Sequence, residues 1–139
     1  MRFTNKFCQK LKICFIYRNI YMKQQNNHPI YKMSFASIYK CYVEKVEKKD
    51  KTKEQLDKII FWLMGYSKKS LGKVIKDKIN LGDFIKNAPK LNPNRNLIKG
   101  VICGIRVEDM EKGLMKEIRY LDKLVDELAR GKKFENILR

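Results

Sequence analysis

From Leu114 onward the chain alternates apolar and charged positions with a helical period. Leu114, Ile118, Leu121, Val125 and Leu128 follow one another at spacings of four, three, four and three. That spacing aligns them along one stripe of an α-helix. Leu124 broadens the stripe, and the remaining positions carry charge of mixed sign. Lys123 and Glu127, and Asp126 and Arg130, stand one turn apart, where opposite charges pair. Gly131 follows as the left-handed residue that closes such a helix. The pattern predicts a helix over 114–130, with the upstream elements supplying the apolar surface its stripe requires.

Those upstream elements also read as helices. Ser34 can cap a helix over 35–49 in which Phe35, Ile38, Tyr39, Tyr42 and Val46 keep helical spacing. Thr52 and Gln55 form a capping box for a second helix, with Leu56, Ile59, Ile60 and Leu63 on its apolar face. Trp62 lies beside that face as a core residue, and Gly65 stops the helix. Ser67 caps a third helix with Leu71, Val74 and Ile75 inward and Lys68, Lys69, Lys73, Lys76 and Lys78 outward. Asn80 or Asp83 starts a short fourth piece holding Phe84 and Ile85, which Pro89 closes. Residues 91–96, LNPNRN, have the chemistry of a loop.

Residues 97–110 fit two periods. Val101, Cys103, Ile105 and Val107 alternate like a strand, whereas Ile98, Val101, Ile102 and Ile105 repeat like a helix. A lone strand leaves its edges unsatisfied, so a helix is expected, with Gly100 and Gly104 sharing a face. Phe134, Ile137 and Leu138 suggest a last turn folding back. The expected fold class is all-α: a compact bundle of five to six helices over 33–139 with a flexible basic amino-terminal extension.

Residues 1–32 differ from that domain. They hold seven Lys and Arg and no acid, with scattered aromatics. Lys10, Lys12 and Arg18 interrupt any signal-like apolar run, and no small-residue cleavage site follows. The longest uncharged apolar piece, 13–17, falls far short of the ~20 residues of a membrane span. The segment reads as a disordered or weakly helical extension, with QQNN at 24–27 as linker and Met33 as an alternative start. A basic amphipathic helix lying on a membrane is the other reading.

The net charge of +17 is unevenly spread. Residues 45–99 carry 15 basic and six acidic groups, whereas 111–130 carry five of each. A basic surface of this kind can hold phosphate or an acidic partner. The plainer alternative is a solvated lysine coat with no ligand, since Lys outnumbers Arg 25 to seven. Cys8, Cys14, Cys41 and Cys103 form no CxxC pair, and His28 is the single histidine, so no zinc set arises. Cys41 and Cys103 sit among apolar residues and read as small buried hydrophobes in a reducing cytoplasm.

No catalytic constellation emerges. There is no Ser/His/Asp or Cys/His set, no phosphate-binding loop and no dinucleotide fingerprint. Asp122, Asp126 and Glu127 read as a solvated, salt-bridged helix face. Arg106 with Glu108 and Asp109 is compatible with a buried polar cluster. No cofactor is expected.

The runs MSFASIYKCYVEKVEKKDKTKEQLD, FWLMGYS and NPNRNLIKGVICGIRVEDMEKGLMKEIRYLDKLVDELARGKKFENILR together resemble domain of unknown function 2200, a family of small bacterial proteins. The likeness covers about 29–139. It departs at Lys40 and Gly113, where members commonly carry Pro, and at Met64, where they carry Thr. The family has no established activity, so the resemblance implies a relative and no mechanism.

Two functions stay open. Residues 52–78 loosely fit a helix-turn-helix whose second helix offers Lys68, Lys69, Ser70, Lys73, Lys76 and Lys78 to nucleic acid or to an acidic protein surface. Phe61, at a position that favours a small residue, and Gly72, within the second helix, count against the strict motif. No Arg, Asn or Gln in that helix offers bidentate base readout, so contact would be weakly sequence-specific. The other function is a homodimer or structural partner paired through Leu114, Ile118, Leu121, Val125 and Leu128.

Overall fold

The computed structural model describes residues 28–139 apart from Cys103. The expectations for the amino-terminal extension up to residue 27, and for Cys103, lie outside the described residues. A 3₁₀ turn, Pro29–Lys32, leads into α1 (Phe35–Glu47), α2 (Lys53–Met64), α3 (Lys68–Lys76) and α4 (Leu81–Lys86). A second 3₁₀ turn (Pro93–Leu97), the strands β1 (Val101–Ile102) and β2 (Ile105–Arg106) and a third 3₁₀ turn (Val107–Asp109) follow. The chain closes with α5 (Leu114–Ala129) and α6 (Phe134–Ile137). The fold is predominantly α.

Local chemistry sets most boundaries as expected. Thr52 and Gln55 form their reciprocal capping box, and Asn80 rather than Asp83 caps α4. Ser67 and Ser70 form a second box at the start of α3. At the end of α5, Gly131 adopts φ +91°, its N–H donates to Leu128 O, and Lys132 N–H donates to Glu127 O. That is the paired closure of a Schellman turn. The end of α2 is closed from a distance. Lys90 N–H and Asn92 N–H donate to Met64 O and Leu63 O, and the Asn92 amide reaches Trp62 O. Gly65, at φ +83°, lets that segment pass close by.

α5 is the centre of the molecule, in contact with α1, α2, α4, α6, β1 and the third 3₁₀ turn. Ile118, Leu121, Val125 and Leu128 are all buried, and Leu114 is half-buried against the same core. The apolar stripe therefore fills the interior of one chain. A dimer through those five residues has no surface to use, because exposing them would open the core.

The polar side of α5 is a second correction. It was expected to be solvated, yet Arg119 is 0 % exposed and Glu127 is 7 % exposed. Elements pack on nearly every side of this helix, so its charged residues meet partners from elsewhere. Glu127 pairs with Arg139 and Lys132, while Lys123 reaches Val101 O rather than Glu127. Asp126 and Arg130 do pair, at 2.8 Å.

The third correction concerns 97–110, which forms a hairpin and a 3₁₀ turn in place of the expected helix. Val101 pairs with Arg106 and Ile102 with Ile105. Gly100 and Gly104 share no helical face. Both take positive φ, +117° and +82°, at the entry and within the turn of the hairpin. The edges are satisfied in a way local spacing does not reveal. Gly100 O accepts from Val107 N–H, Val101 O from Lys123 Nζ and Ile102 O from Arg119 Nη1. Arg106 and Glu108 form a surface pair at 3.4 Å rather than a buried cluster. The Gly100 N–H, at 2.9 Å, holds the Glu108 carboxyl below the usual range.

Ile30 and Tyr31 join the core, with the turn around them seated on α4. The packed body therefore reaches upstream of Met33. Beside it three rings stack: the Phe84 ring centre lies 3.8 Å from that of Phe35 and 4.7 Å from that of Tyr66, with its plane nearly parallel to both.

Candidate polyanion interface

The local sequence of α3 separates its two sides. With 3.6 residues per turn, Lys68, Lys69, Lys73 and Lys76 fall within an arc of about 140°. Leu71 is buried and Val74 and Ile75 are half-buried on the other side. That inward side packs on α1. Two backbone bonds, Phe35 N–H to Ile79 O and Leu81 N–H to Met33 O, pair Ser34 with Asn80 as an antiparallel bridge and fix the register of the junction. The lysine arc is thus held outward by the same contacts that seat the helix.

All five lysines of the expected set are exposed. Lys73 pairs with Asp77 at 3.1 Å, an exposed one-turn pair that salt and solvent weaken. Lys68, Lys69, Lys76 and Lys78 have no carboxylate within 4.0 Å among the described residues. Lys78 sits past the helix end at φ +53°. Ser70 stands apart from this group. Its hydroxyl accepts the Ser67 N–H at 2.8 Å and so serves the helix cap. Gly72 lies within the lysine arc, and its Cα faces open space.

The relation of α3 to α2 differs from a helix-turn-helix. In that motif the two helices brace each other, whereas α3 rests mainly on α1. Phe61 is half-buried in the core layer of α2.

α1 and α5 hold a second group of charges that the sequence did not bring together. Tyr42 Oη donates to Asp122 and Lys45 Nζ donates to Asp126, on successive turns of both helices. The two helices therefore run parallel. Burial pushes the Asp122 carboxyl above its usual range, against the opposing effects of Tyr42 and Arg119. Cys41, on α1, is half-buried rather than fully buried. Among the described residues no group of His, Cys, Asp and Glu is placed to hold a metal ion. No helix among them is long and apolar enough to cross a membrane.

Residues 29–139 match the family described as "Uncharacterized protein conserved in bacteria (DUF2200)". The chain belongs to the DUF2200 family. A solved structure titled "Crystal structure of uncharacterized protein SP1917" is similar to it, at 38% identity and a TM-score of 0.76. The match covers 83% of this chain and 94% of that one. No curated protein matches the chain. Membership agrees with the resemblance read from the sequence, and the DUF2200 description adds no activity.

Proposed function

We propose that this DUF2200 protein is a non-enzymatic cytoplasmic module that contacts nucleic acid through the lysine face of α3, with little sequence preference. The observation that carries the reading is the set Lys68, Lys69 and Lys76 on one arc of α3, with Lys78 just past its end, all exposed and without a carboxylate within 4.0 Å among the described residues. Such a face neutralises backbone phosphates and releases their counterions, which makes binding steeply salt-dependent. Lysine offers a point charge rather than the planar fork that reads guanine, so base discrimination is weak. Lys73 joins the face when a phosphate displaces Asp77 from its ammonium group, and Ser70 takes part only as the helix cap.

The test is titration of labelled duplex and single strands at low and moderate salt. Replacing Lys68, Lys69 and Lys76 by Ala should lower the slope of log affinity against log salt by about two to three, given roughly 0.7–0.9 per phosphate lost. Absence of binding even at low salt ends the reading. Preference for an acidic protein over nucleic acid would reassign the same face.

A second reading is self-association. The stripe on α5 is enclosed, so the surface that favours this reading is around Leu97 and Val101, 55% and 48% exposed. Light scattering that finds a strict monomer at high concentration removes it.

A further inference from the structure

The carboxyl-terminal ends of α1 and α5 lie side by side because the two helices run parallel. Between them opens a cleft of about 670 Å³ lined by Lys45, Lys49, Asp126, Ala129 and Arg130. Ala129, with its small side chain, leaves room between the longer ones. Asp126 commits both carboxylate oxygens: Oδ1 takes Lys45 Nζ at 3.4 Å and Oδ2 takes Arg130 Nε at 2.8 Å. It thereby orients two cations on the wall of the cleft. Arg130 contacts Asp126 through Nε, which leaves Nη1 and Nη2 to face the cleft, and Lys49 has no carboxylate within 4.0 Å among the described residues.

The charge balance favours an anion. Three cations against one carboxylate leave the lining doubly positive. The two helix ends together subtract about one charge at most, near −0.5 each. Their terminal carbonyls are also occupied. Val46 O accepts from Lys49 and Lys51 N–H, and Glu127 O and Leu128 O accept from Lys132 and Gly131 N–H.

We propose that this cleft binds a phosphomonoester group, held by the Arg130 Nη pair and the ammonium groups of Lys45 and Lys49. The planar guanidinium fork matches two oxygens of a phosphate. The lysines supply single donors to the remaining oxygens, and a phosphomonoester offers three terminal oxygens to these donors where a carboxylate offers two. None of these residues belongs to the α3 face, so the inference stands independently of the nucleic-acid reading.

The experiment titrates the full chain with inorganic phosphate at constant ionic strength, against chloride, by calorimetry and thermal melting. Saturable one-to-one binding and a rise in melting temperature are expected. Lys49→Glu, at an exposed residue with no ion pair among the described residues, should weaken binding at least tenfold while leaving the fold intact by circular dichroism. Lys69→Glu on α3 should change it less than twofold. Adenosine monophosphate and a 5′-phosphorylated oligonucleotide, each compared with its dephosphorylated form, then tell a free phosphomonoester from a nucleic-acid end. Absence of saturable phosphate binding overturns the proposal. So does equal weakening by Lys49→Glu and Lys69→Glu, which would mark net charge alone.

Discussion

Arg119, wholly buried in α5, donates from Nη1 to the carbonyl of Ile102 in β1 at 2.9 Å. A guanidinium in the interior loses its hydration and is tolerated only where carbonyls and carboxylates replace the water. Asp122, one turn along, contributes opposite charge. Replacing Arg119 by Ala removes the donor, leaves the Ile102 carbonyl facing a void and deletes the side chain on which the hairpin rests. The expected cost is about 3 kcal/mol, at the lower end for a broken buried pair. Urea unfolding measures it. Amide exchange at Ile102 and Ile105 should accelerate more than exchange in α2, because the hairpin loses its attachment to α5.

Gly65 and Gly72 should respond to alanine with opposite signs. A Cβ at Gly65 would lie 2.7 Å from both the N and O of Lys90, on a residue already at φ +83°. Gly65→Ala should destabilise by about 2 kcal/mol, from strain and from loosening the segment that closes α2. Gly72 sits within α3 with nothing within 4 Å of its added Cβ. Gly72→Ala should stabilise by about 0.5–1 kcal/mol through helix propensity alone. Thermal melting of the two variants decides both.

The carboxyl terminus is fastened by a bidentate pair. Arg139 Nη1 and Nη2 donate to Glu127 Oε1 and Oε2 at 3.0 and 2.8 Å, with both side chains largely buried. Asn94 adds a bond to the Arg139 carbonyl at 3.0 Å. Arg139→Ala should cost about 2 kcal/mol, because Glu127 keeps only the longer contact with Lys132. Being partly buried, the pair should lose little to added salt. Unfolding midpoints at low and moderate salt check both statements.

What was legible in the sequence is what short spacing decides. Thr52 with Gln55, Ser67 before its helix and Gly131 after the last long helix act within one turn of themselves. Their boundaries hold in the structure. The lysine face was legible for the same reason, since an amphipathic helix displays what it does not bury. The hairpin was not, because its edge carbonyls are satisfied by Lys123 and Arg119, about twenty positions away. A lone strand would lack a partner, but this segment also pairs with its own continuation, Val101 with Arg106 and Ile102 with Ile105. The burial of Arg119 and Glu127 was hidden too: a polar helix face reads as solvated until the elements stacked on it are known. The cleft beside Lys45, Lys49 and Arg130 depends on α1 running parallel to α5, which the spacing within either helix does not fix.

His28 gives the amino-terminal turn a pH dependence whose sign follows from its hydrogen bond. Its Nδ1 accepts the Ile30 N–H at 2.8 Å, and the ring is 4 % exposed. In the neutral ring Nδ1 is an acceptor and Nε2 carries the proton. Protonation places hydrogen on Nδ1, so the cap on the Pro29–Lys32 turn is lost and a cation is left in a buried position. Burial accordingly holds the imidazole below its ordinary value of 6.5. A base whose folded value is depressed binds fewer protons folded than unfolded, so stability rises with pH across its titration. Its contribution is complete above about 6.5 and declines as the pH falls below that value toward the folded one. Asp122 acts with the opposite sign at lower pH: its raised carboxyl favours the fold below 3.8, and that advantage fades as the pH rises. Urea midpoints from pH 7.5 down to 5 should therefore fall for the native chain. With His28→Asn, which retains a capping acceptor without a titrating ring, the fall should flatten; an unchanged slope would assign the titration to other groups.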